Sequence, residues 1–210
     1  MDHLLPTAEL AERALLPDDP GQALALTRVL YGETPRMFNH HRGLWGYSGI
    51  ALDGAPLTVQ STGIGGPSAA VVVGELHGLG LRRAVRIGRA WPLDGAPAGR
   101  IVVATSVLAL DGASRALGAP ARLEPDLALA AALAGDADGV VASVDVPGAD
   151  AGDEAVAYDL ESAAVLAAAR RAGIPAACLV AIDGAGDPDE VAERLGRAAL
   201  AALAPTTTGP

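Results

Sequence analysis

The sequence predicts an α/β protein in which helices cover both faces of a central mixed, mostly parallel sheet, giving a single domain of three layers. Two observations indicate this class. Short segments rich in Val and Ile, bounded by Gly, Pro or Asp, alternate with longer segments whose apolar residues recur at helical spacing. The 210 residues, 50% of them hydrophobic, suffice to bury one core without disulfides or a structural metal.

Five strands and five helices follow from these patterns. The predicted strands are residues 57–61, 84–88, 100–107, 139–144 and 176–182. The predicted helices are residues 21–31, 67–79, 124–134, 158–172 and 188–203. Pro67 and Pro188 fit the first turn of a helix, and Gly80 and Gly173 fit C-terminal caps. We expect one domain over residues 1–204 and a disordered polar tail at 205–210.

Composition and charge exclude several classes of function. The net charge of −10 argues against a nucleic-acid partner, which would require a basic surface. No apolar run approaches the roughly 18 to 20 residues of a membrane span, and no secretory signal is evident, so we expect a cytoplasmic protein without membrane contacts. The lone Cys178 excludes an intramolecular disulfide and a Cys-based zinc site, and the four scattered histidines do not form a metal motif.

Glycines and arginines provide candidate binding groups where the predicted strands end, the edge at which such sheets bind ligands. Gly63 and Gly65 lie in a turn that enters a helix and lets the backbone approach a ligand, although a plain structural turn is the alternative. Arg86 lies within an apolar strand, which favours either an anion site or a buried ion pair. We expect a turn after Gly88 to let Arg86 and Arg89 converge on one small anion.

Two acidic residues are further candidates. Glu161 lies among small apolar residues, where a carboxylate could accept hydrogen bonds from the paired hydroxyls of a sugar; the alternative is a helix N-terminal charge that complements the dipole. Asp183 ends the last predicted strand before Gly184, and its alternative role is to form a turn or an N-cap. No Ser-His-Asp spacing or HExxH motif accompanies them.

Several motifs together indicate a family. They are TVQSTGIGGPS at 58–68, Glu75-Leu76, Leu79-Gly80, Arg86-Ile87-Gly88, LDGAS at 110–114 and YDLESA at 158–163. The chain resembles the nucleoside phosphorylase superfamily, of the purine nucleoside and uridine phosphorylase type, and uridine phosphorylase most closely. The resemblance implies a phosphorylase-like fold and a pentosyltransferase that uses inorganic phosphate and no cofactor. Phosphate would attack the anomeric carbon of a ribonucleoside, releasing the base and ribose 1-phosphate.

The resemblance also implies roles for individual residues. Arg86 and Arg42 match phosphate-binding arginines, Arg42 being lent by a neighbouring subunit of a homodimer or hexamer. Glu161 matches the carboxylate that binds the ribose 2′- and 3′-hydroxyls. Leu160, which precedes it, matches a ribose-site position where the family usually has Met. His3 matches a neighbour's histidine near the 5′-hydroxyl. Asp183 falls where purine-specific members keep the acid that protonates the leaving base.

The sequence departs from the family at the phosphate loop and the base site. Leu16-Pro17-Asp18-Asp19-Pro20 resembles the opening Pro-Gly-Asp-Pro loop, but Asp18 replaces its Gly and Gln22 replaces its Arg. Arg89, where the family has Ser or Thr, could supply the missing cation, and Trp91 places a large ring near the sugar and base. Residues 144–157 form a shorter loop than the family's. A nucleoside hydrolase of the same fold and a catalytically silent binding or assembly protein therefore stay open as alternatives.

Overall fold

The strands and helices follow the predicted alternation, with short strands added. A computed structural model describes residues 2–93, 96, 98–184 and 186–205. The strands are β1 (Arg13–Leu16), β2 (Arg36–Asn39), β3 (Gly46–Ile50), β4 (Pro56–Gln60), β5 (Arg83–Pro92), β6 (Ile101–Ala109), β7 (Arg122–Leu123), β8 (Ala137–Ser143), β9 (Ala157–Asp159) and β10 (Ala176–Ile182). The helices are α1 (Pro20–Leu30), α2 (Gly66–Gly78), α3 (Gly112–Ala116), α4 (Leu127–Ala132), α5 (Ser162–Ala172) and α6 (Pro188–Ala202), with a 3₁₀ turn at His41–Gly43.

All five predicted strands and five predicted helices are present, with shifted ends. The prediction of a helix from residue 158 is wrong at its start, because Tyr158 and Asp159 belong to β9: Tyr158 pairs with β5 and β8, and Asp159 pairs with β8. The helix begins only at Ser162 and ends, as predicted, at a left-handed Gly173. Of the predicted tail, residues 206–210 lie outside the described residues.

The sheet is mixed, and its longest pairings, β5 with β10 and β6 with β8, are parallel. Five strands close into a ring in the order β10-β6-β8-β9-β5, because β5 pairs with β10 as well as with β9. From β5 the sheet continues outward through β1, β4, β3 and β2. The carboxyl ends of β1, β5 and β10 therefore lie at one edge, where β5 and β10 run side by side in the same direction.

Helices cover both faces of the sheet, which confirms the predicted fold class. On one face, α2 and α5 contribute Val72, Leu76 and Val165 to a core shared with β6, β8 and β10. On the other, α1 and α6 contribute Leu26 and Leu195 to a second core, which α4 also joins. In the described part of the chain, no helix has the length and hydropathy needed to cross a bilayer.

Alternation along β5 positions the site. Ala84 and Ala90 belong to the core on the α2–α5 face, whereas Val85 and Ile87 belong to the core on the α1–α6 face. Arg86 shares the α2–α5 face with Ala84 and Ala90, because side chains two residues apart point to the same side of a strand. A guanidinium is thus placed inside an otherwise apolar layer, where it requires acidic partners.

Candidate active site

A fully buried guanidinium lies at the centre of the site. Arg86 has no solvent exposure, and its Nη2 donates a hydrogen bond of 2.8 Å to Oε2 of Glu161. The same nitrogen lies 3.3 Å from Oδ2 of Asp159, and Nη1 lies 3.6 Å from Oδ1 of Asp18. The ion-pair alternative for Arg86 is therefore present, with three carboxylates from two segments of the chain.

Glu161 is fixed by the Gly-rich turn as well as by Arg86. The backbone amide of Gly65 donates a hydrogen bond of 2.7 Å to Oε1 of Glu161. Gly65 has a φ of 84°, a left-handed conformation that favours glycine. The amides of Gly63 and Gly65 both donate within the chain, that of Gly63 to the backbone carbonyl of Asp18. The turn therefore positions two acidic residues of the cluster.

Asp159 orients the junction between β9 and α5. Its carboxylate accepts hydrogen bonds from the hydroxyls of Ser143 and Ser162 and from the backbone amide of Ser162. Glu161 follows two residues later, just before the first helical residue. The Asp-Leu-Glu spacing thus brings two carboxylates to one guanidinium, while Leu160 between them packs into a separate apolar cluster with Val144.

The cluster is unbalanced, with three acidic side chains around one basic one. Burial raises the pKa of Asp18 and of Glu161, and the Arg86 charge opposes the rise in both. Burial alone would lower the pKa of Arg86, but the Asp159, Asp18 and Glu161 carboxylates raise it above its usual value, so the guanidinium stays charged. The carboxyl groups of Asp18 and Glu161 are therefore neutralised more easily than the guanidinium of Arg86.

Arg86 retains hydrogen-bonding capacity within this cluster. Nε and Nη1 of Arg86 are buried and have no hydrogen-bond partner among the described residues, and the same holds for Oδ1 of Asp18. Buried donors without partners are costly, so a ligand that accepts from them gains binding free energy. Unpartnered N–H donors of a guanidinium match the oxygens of a phosphate or a carboxylate.

Gly88 makes room for this arrangement. A Cβ at residue 88 would lie 1.8 Å from Nη1 of Arg86 and 2.5 Å from Oδ1 of Asp18. We expect Gly88→Ala to displace the guanidinium from Glu161 and to destabilise the fold by about 1–3 kcal/mol, the usual cost of overpacking a core. Thermal unfolding measures the loss, with Gly74→Ala as control, because a Cβ there meets nothing within 4 Å. Equal melting temperatures for Gly88→Ala and wild type would contradict the described packing.

Arg89 and Asp183 form a separate ion pair. The expected turn after Gly88 is wrong: β5 continues to Pro92 because β10 pairs with it through Ala90. Arg89 therefore stands an odd number of residues from Arg86 and its side chain is half-exposed. The structure gives the two arginines different acidic partners. The backbone amide of Asp183 donates to the carbonyl of Ala90, which fixes this residue at the end of β10.

Of the two residues assigned to a neighbouring subunit, His3 contacts a glutamate of its own chain. Nδ1 of His3 lies 2.6 Å from Oε1 of Glu75 on α2, whose carboxylate also accepts from the His3 and Leu4 amides. Burial alone would raise the pKa of Glu75, but these hydrogen bonds lower it below its usual value. Arg42 is exposed on the 3₁₀ turn with a φ of 58°.

Trp91 and Tyr158 stack beside the apolar cluster that contains Leu160. Their ring centroids lie 5.3 Å apart with an interplanar angle of 18°. The shortened loop contacts Tyr158, since the amide of Gly148 donates to the Tyr158 hydroxyl. The Trp91 ring, which the sequence predicts to lie near the sugar and base, is thus packed against the ring of Tyr158.

Sequence reasoning missed Asp159 as a member of the site. Its signal was present in the alternation of Asp159 and Glu161, which places two acids on one face of an extended segment. The predicted helix concealed this signal, because residues two apart on a helix point in different directions. Cys178 is buried as expected, and burial raises its pKa to about 12. Within the described ranges, no group of three His, Cys, Asp or Glu side chains could hold a metal ion.

Comparison with known proteins agrees with the motifs. The sequence model of the Phosphorylase superfamily matches residues 12–206. The chain is 32% identical over 132 residues to a uridine phosphorylase of Treponema pallidum, covering 61% of this chain and 50% of that protein. It is 36% identical over 105 residues to the Escherichia coli uridine phosphorylase, covering 50% and 40% of the two chains.

A relative named for purine nucleosides is also similar. The match to a DeoD-type purine nucleoside phosphorylase of Oceanobacillus iheyensis is 36% identical over 81 residues, covering 38% of this chain and 34% of that protein. The chain thus spans between a third and a half of the length of these three relatives. The family match includes nearly all of the fold and every residue of the Arg86 cluster, from Asp18 to Glu161 in the sequence. The chain belongs to the phosphorylase superfamily.

Proposed function

We propose that the protein is a pentosyltransferase that cleaves the N-glycosidic bond of a ribonucleoside with inorganic phosphate, releasing the base and ribose 1-phosphate without a cofactor. One observation carries the proposal: the buried Arg86 offers two unpartnered donors within the same cluster that holds the Glu161 carboxylate. An anion and a sugar diol would therefore bind side by side. The names of the uridine and purine nucleoside phosphorylase relatives support this class of reaction.

Glu161 is the proposed ligand of the ribose hydroxyls. A carboxylate has about four lone-pair directions, and Arg86 and Gly65 use two of those on Glu161. The remaining capacity suits the 2′- and 3′-hydroxyls of a ribose. Leu160, held in the neighbouring apolar cluster, would pack against the sugar. Because both Glu161 oxygens are already fixed, the sugar would meet a preorganised acceptor.

Arg86 is the proposed main phosphate ligand. Its charge would stabilise phosphate in line with the anomeric carbon as the bond to the base breaks. Arg42 from a neighbouring subunit, and Arg89 if it leaves Asp183, are proposed as additional cations. His3 of a neighbour is proposed for the 5′-hydroxyl, which requires release from Glu75. These roles require at least a dimer, and the oligomeric state stays a prediction.

Asp183 is the proposed general acid for the leaving base. It lies at the carboxyl end of β10 and is 38% exposed, so solvent reaches its side chain. Protonation of the departing nitrogen makes the base a better leaving group. The stacked Trp91 and Tyr158 are proposed to offer an aromatic face toward the base.

Hydrolysis is a second candidate, favoured by Asp18. Its carboxylate already lies 3.6 Å from the guanidinium that phosphate would use. A partly buried carboxylate next to the anomeric carbon could instead orient water as the nucleophile. The two reactions differ in their need for phosphate and in the sugar product.

A paired-substrate assay tests the assignment of Glu161. We would follow base release from ribonucleosides and their 2′-deoxy counterparts, with purine and pyrimidine bases, in phosphate buffer. Loss of one charge-assisted hydrogen bond should lower kcat/KM for the deoxy substrates about 10- to 100-fold. Equal rates for both sugars would show that Glu161 does not bind the 2′-hydroxyl. Failure to release any base would overturn the proposed function.

A further inference from the structure

We propose that Asp18 is a specificity-determining residue of the anion site: its carboxylate competes with phosphate for Arg86, and a dianion enters only when Asp18 takes up one proton. The inference rests on the proposed binding of phosphate at Arg86. It concerns a position where the sequence carries an acid in place of the family's glycine. Asp18 would thereby set both the charge of the anion accepted and the pH at which it binds.

The geometry places Asp18 in the role of an internal anion. Its Oδ1 is buried and lies 3.6 Å from Nη1 of Arg86, and neither atom has a hydrogen-bond partner among the described residues. The contact is too long for a hydrogen bond, so it supplies charge neutralisation without satisfying the donor. An anion oxygen within 3 Å of Nη1 would form the better interaction. Gly88, without a side chain, allows both groups to face the same space.

The surrounding charges make a second anion costly. Among the described residues that interact electrostatically with Asp18, β5 contributes the Arg86 guanidinium, β9 the Asp159 carboxylate, and the start of α5 the Glu161 carboxylate. Asp19, the N-cap of α1, is a further acidic neighbour of Asp18. Three carboxylates already exceed one guanidinium, and a phosphate dianion would add two more negative charges to this buried cluster.

Protonation of Asp18 removes this conflict. The proton converts its carboxylate into a carboxylic acid, which is neutral and can donate a hydrogen bond to the entering anion. Burial favours the protonated form, because it raises the pKa of Asp18 against the opposing charge of Arg86. The Asp18 side chain is 30% exposed, so the proton can come from solvent or from the phosphate itself. No bond other than O–H forms or breaks.

The consequence is a linked equilibrium. If one proton is taken up for each anion bound, the dissociation constant of the anion rises about tenfold for each unit by which the pH increases. This holds over the pH range in which Asp18 is ionised in the free protein. The family's glycine at residue 18 would abolish the linkage, and so would asparagine, which cannot take up the proton. Sulfate isolates the effect, because unlike phosphate it stays a dianion throughout the neutral range.

Calorimetric titration with sulfate tests the proposal without relying on nucleoside cleavage. Wild type, Asp18→Asn and Asp18→Gly would be titrated between pH 7.5 and 8.5, in two buffers that differ in protonation enthalpy. We expect uptake of about one proton per sulfate in wild type and none in either variant, whose affinity at pH 8.5 should be about tenfold higher or more. Glu33→Gln, an exposed acid of the same charge, serves as the control.

Each outcome decides the proposal. If both Asp18 variants bind sulfate and wild type does not, the proposal is supported, since the Asp18 carboxylate then excludes the anion completely. Equal proton uptake by wild type and both variants, or equal affinity in all three, overturns it, as does a lack of sulfate binding in all of them. Asp18 contributes its backbone carbonyl to Gly63, a contact that both substitutions keep, and thermal unfolding verifies the fold. A protein that binds sulfate in this way but cleaves no nucleoside would refute the proposed function alone.

Discussion

Replacing Arg86 with methionine is expected to lower the free energy of unfolding by about 3–5 kcal/mol, the cost of removing one partner from a buried ionic cluster. Asp159 and Glu161 would remain buried without their counter-charge. The loss should be larger at pH 8 than at pH 5. Without the cation the pKa of Glu161 rises further, and stability held by a group with a raised pKa is present at low pH and lost as the pH rises.

Chemical denaturation at the two pH values measures this effect. Arg89→Met provides the matched control, because Arg89 is half-exposed and its ion pair with Asp183 should contribute about 0–1 kcal/mol. A loss below about 1 kcal/mol for Arg86→Met, within the range of an ordinary surface substitution, would show that Arg86 does not organise the cluster. A loss that grows as the pH falls would contradict the assigned charges.

Glu161→Gln is expected to lower kcat/KM for ribonucleosides about 10²- to 10³-fold, equivalent to about 3–4 kcal/mol of transition-state stabilisation. The amide keeps the size of the side chain but turns an N–H₂ group toward either Arg86 or the sugar, where acceptors are required. The charge that complements an oxocarbenium-like sugar is lost at the same time.

Steady-state kinetics of base release measures this change, with Glu193→Gln as control. Glu193 lies on exposed α6 surface in an i,i+4 pair with Arg197, so its loss of charge should leave kcat/KM unchanged. Retention of more than a third of the wild-type kcat/KM by Glu161→Gln would place the ribose elsewhere.

The layered fold was predictable because its signals are local. β6 and β10 of the closed ring are short segments rich in Val, Ile and Ala, and the helices carry apolar residues at helical spacing. The three-residue β9 was not predictable. Tyr158 and Asp159 precede a long helical run, and they are extended because β9 pairs with β5 and β8.

Two charged residues of the site were predictable from the sequence, but their pairing was not. Arg86 and Glu161 each stood out as a charge in an apolar segment, and the structure joins them although 75 residues separate them. Arg89 was misplaced because the length of β5 depends on its neighbour β10. The contact between His3 and Glu75 spans 72 residues and leaves no local pattern.

Phosphorus NMR of the reaction mixture tests the central claim most directly. The protein would be incubated with a ribonucleoside that it cleaves, in inorganic phosphate, while the free base is quantified by absorbance. Phosphorolysis predicts a new phosphate-ester resonance from ribose 1-phosphate that grows in equal amount to the released base, and no base release when phosphate is withheld. Two results together would contradict it: base release at the same rate when phosphate is withheld, and orthophosphate as the sole phosphorus signal when phosphate is present. The nucleophile would then be water.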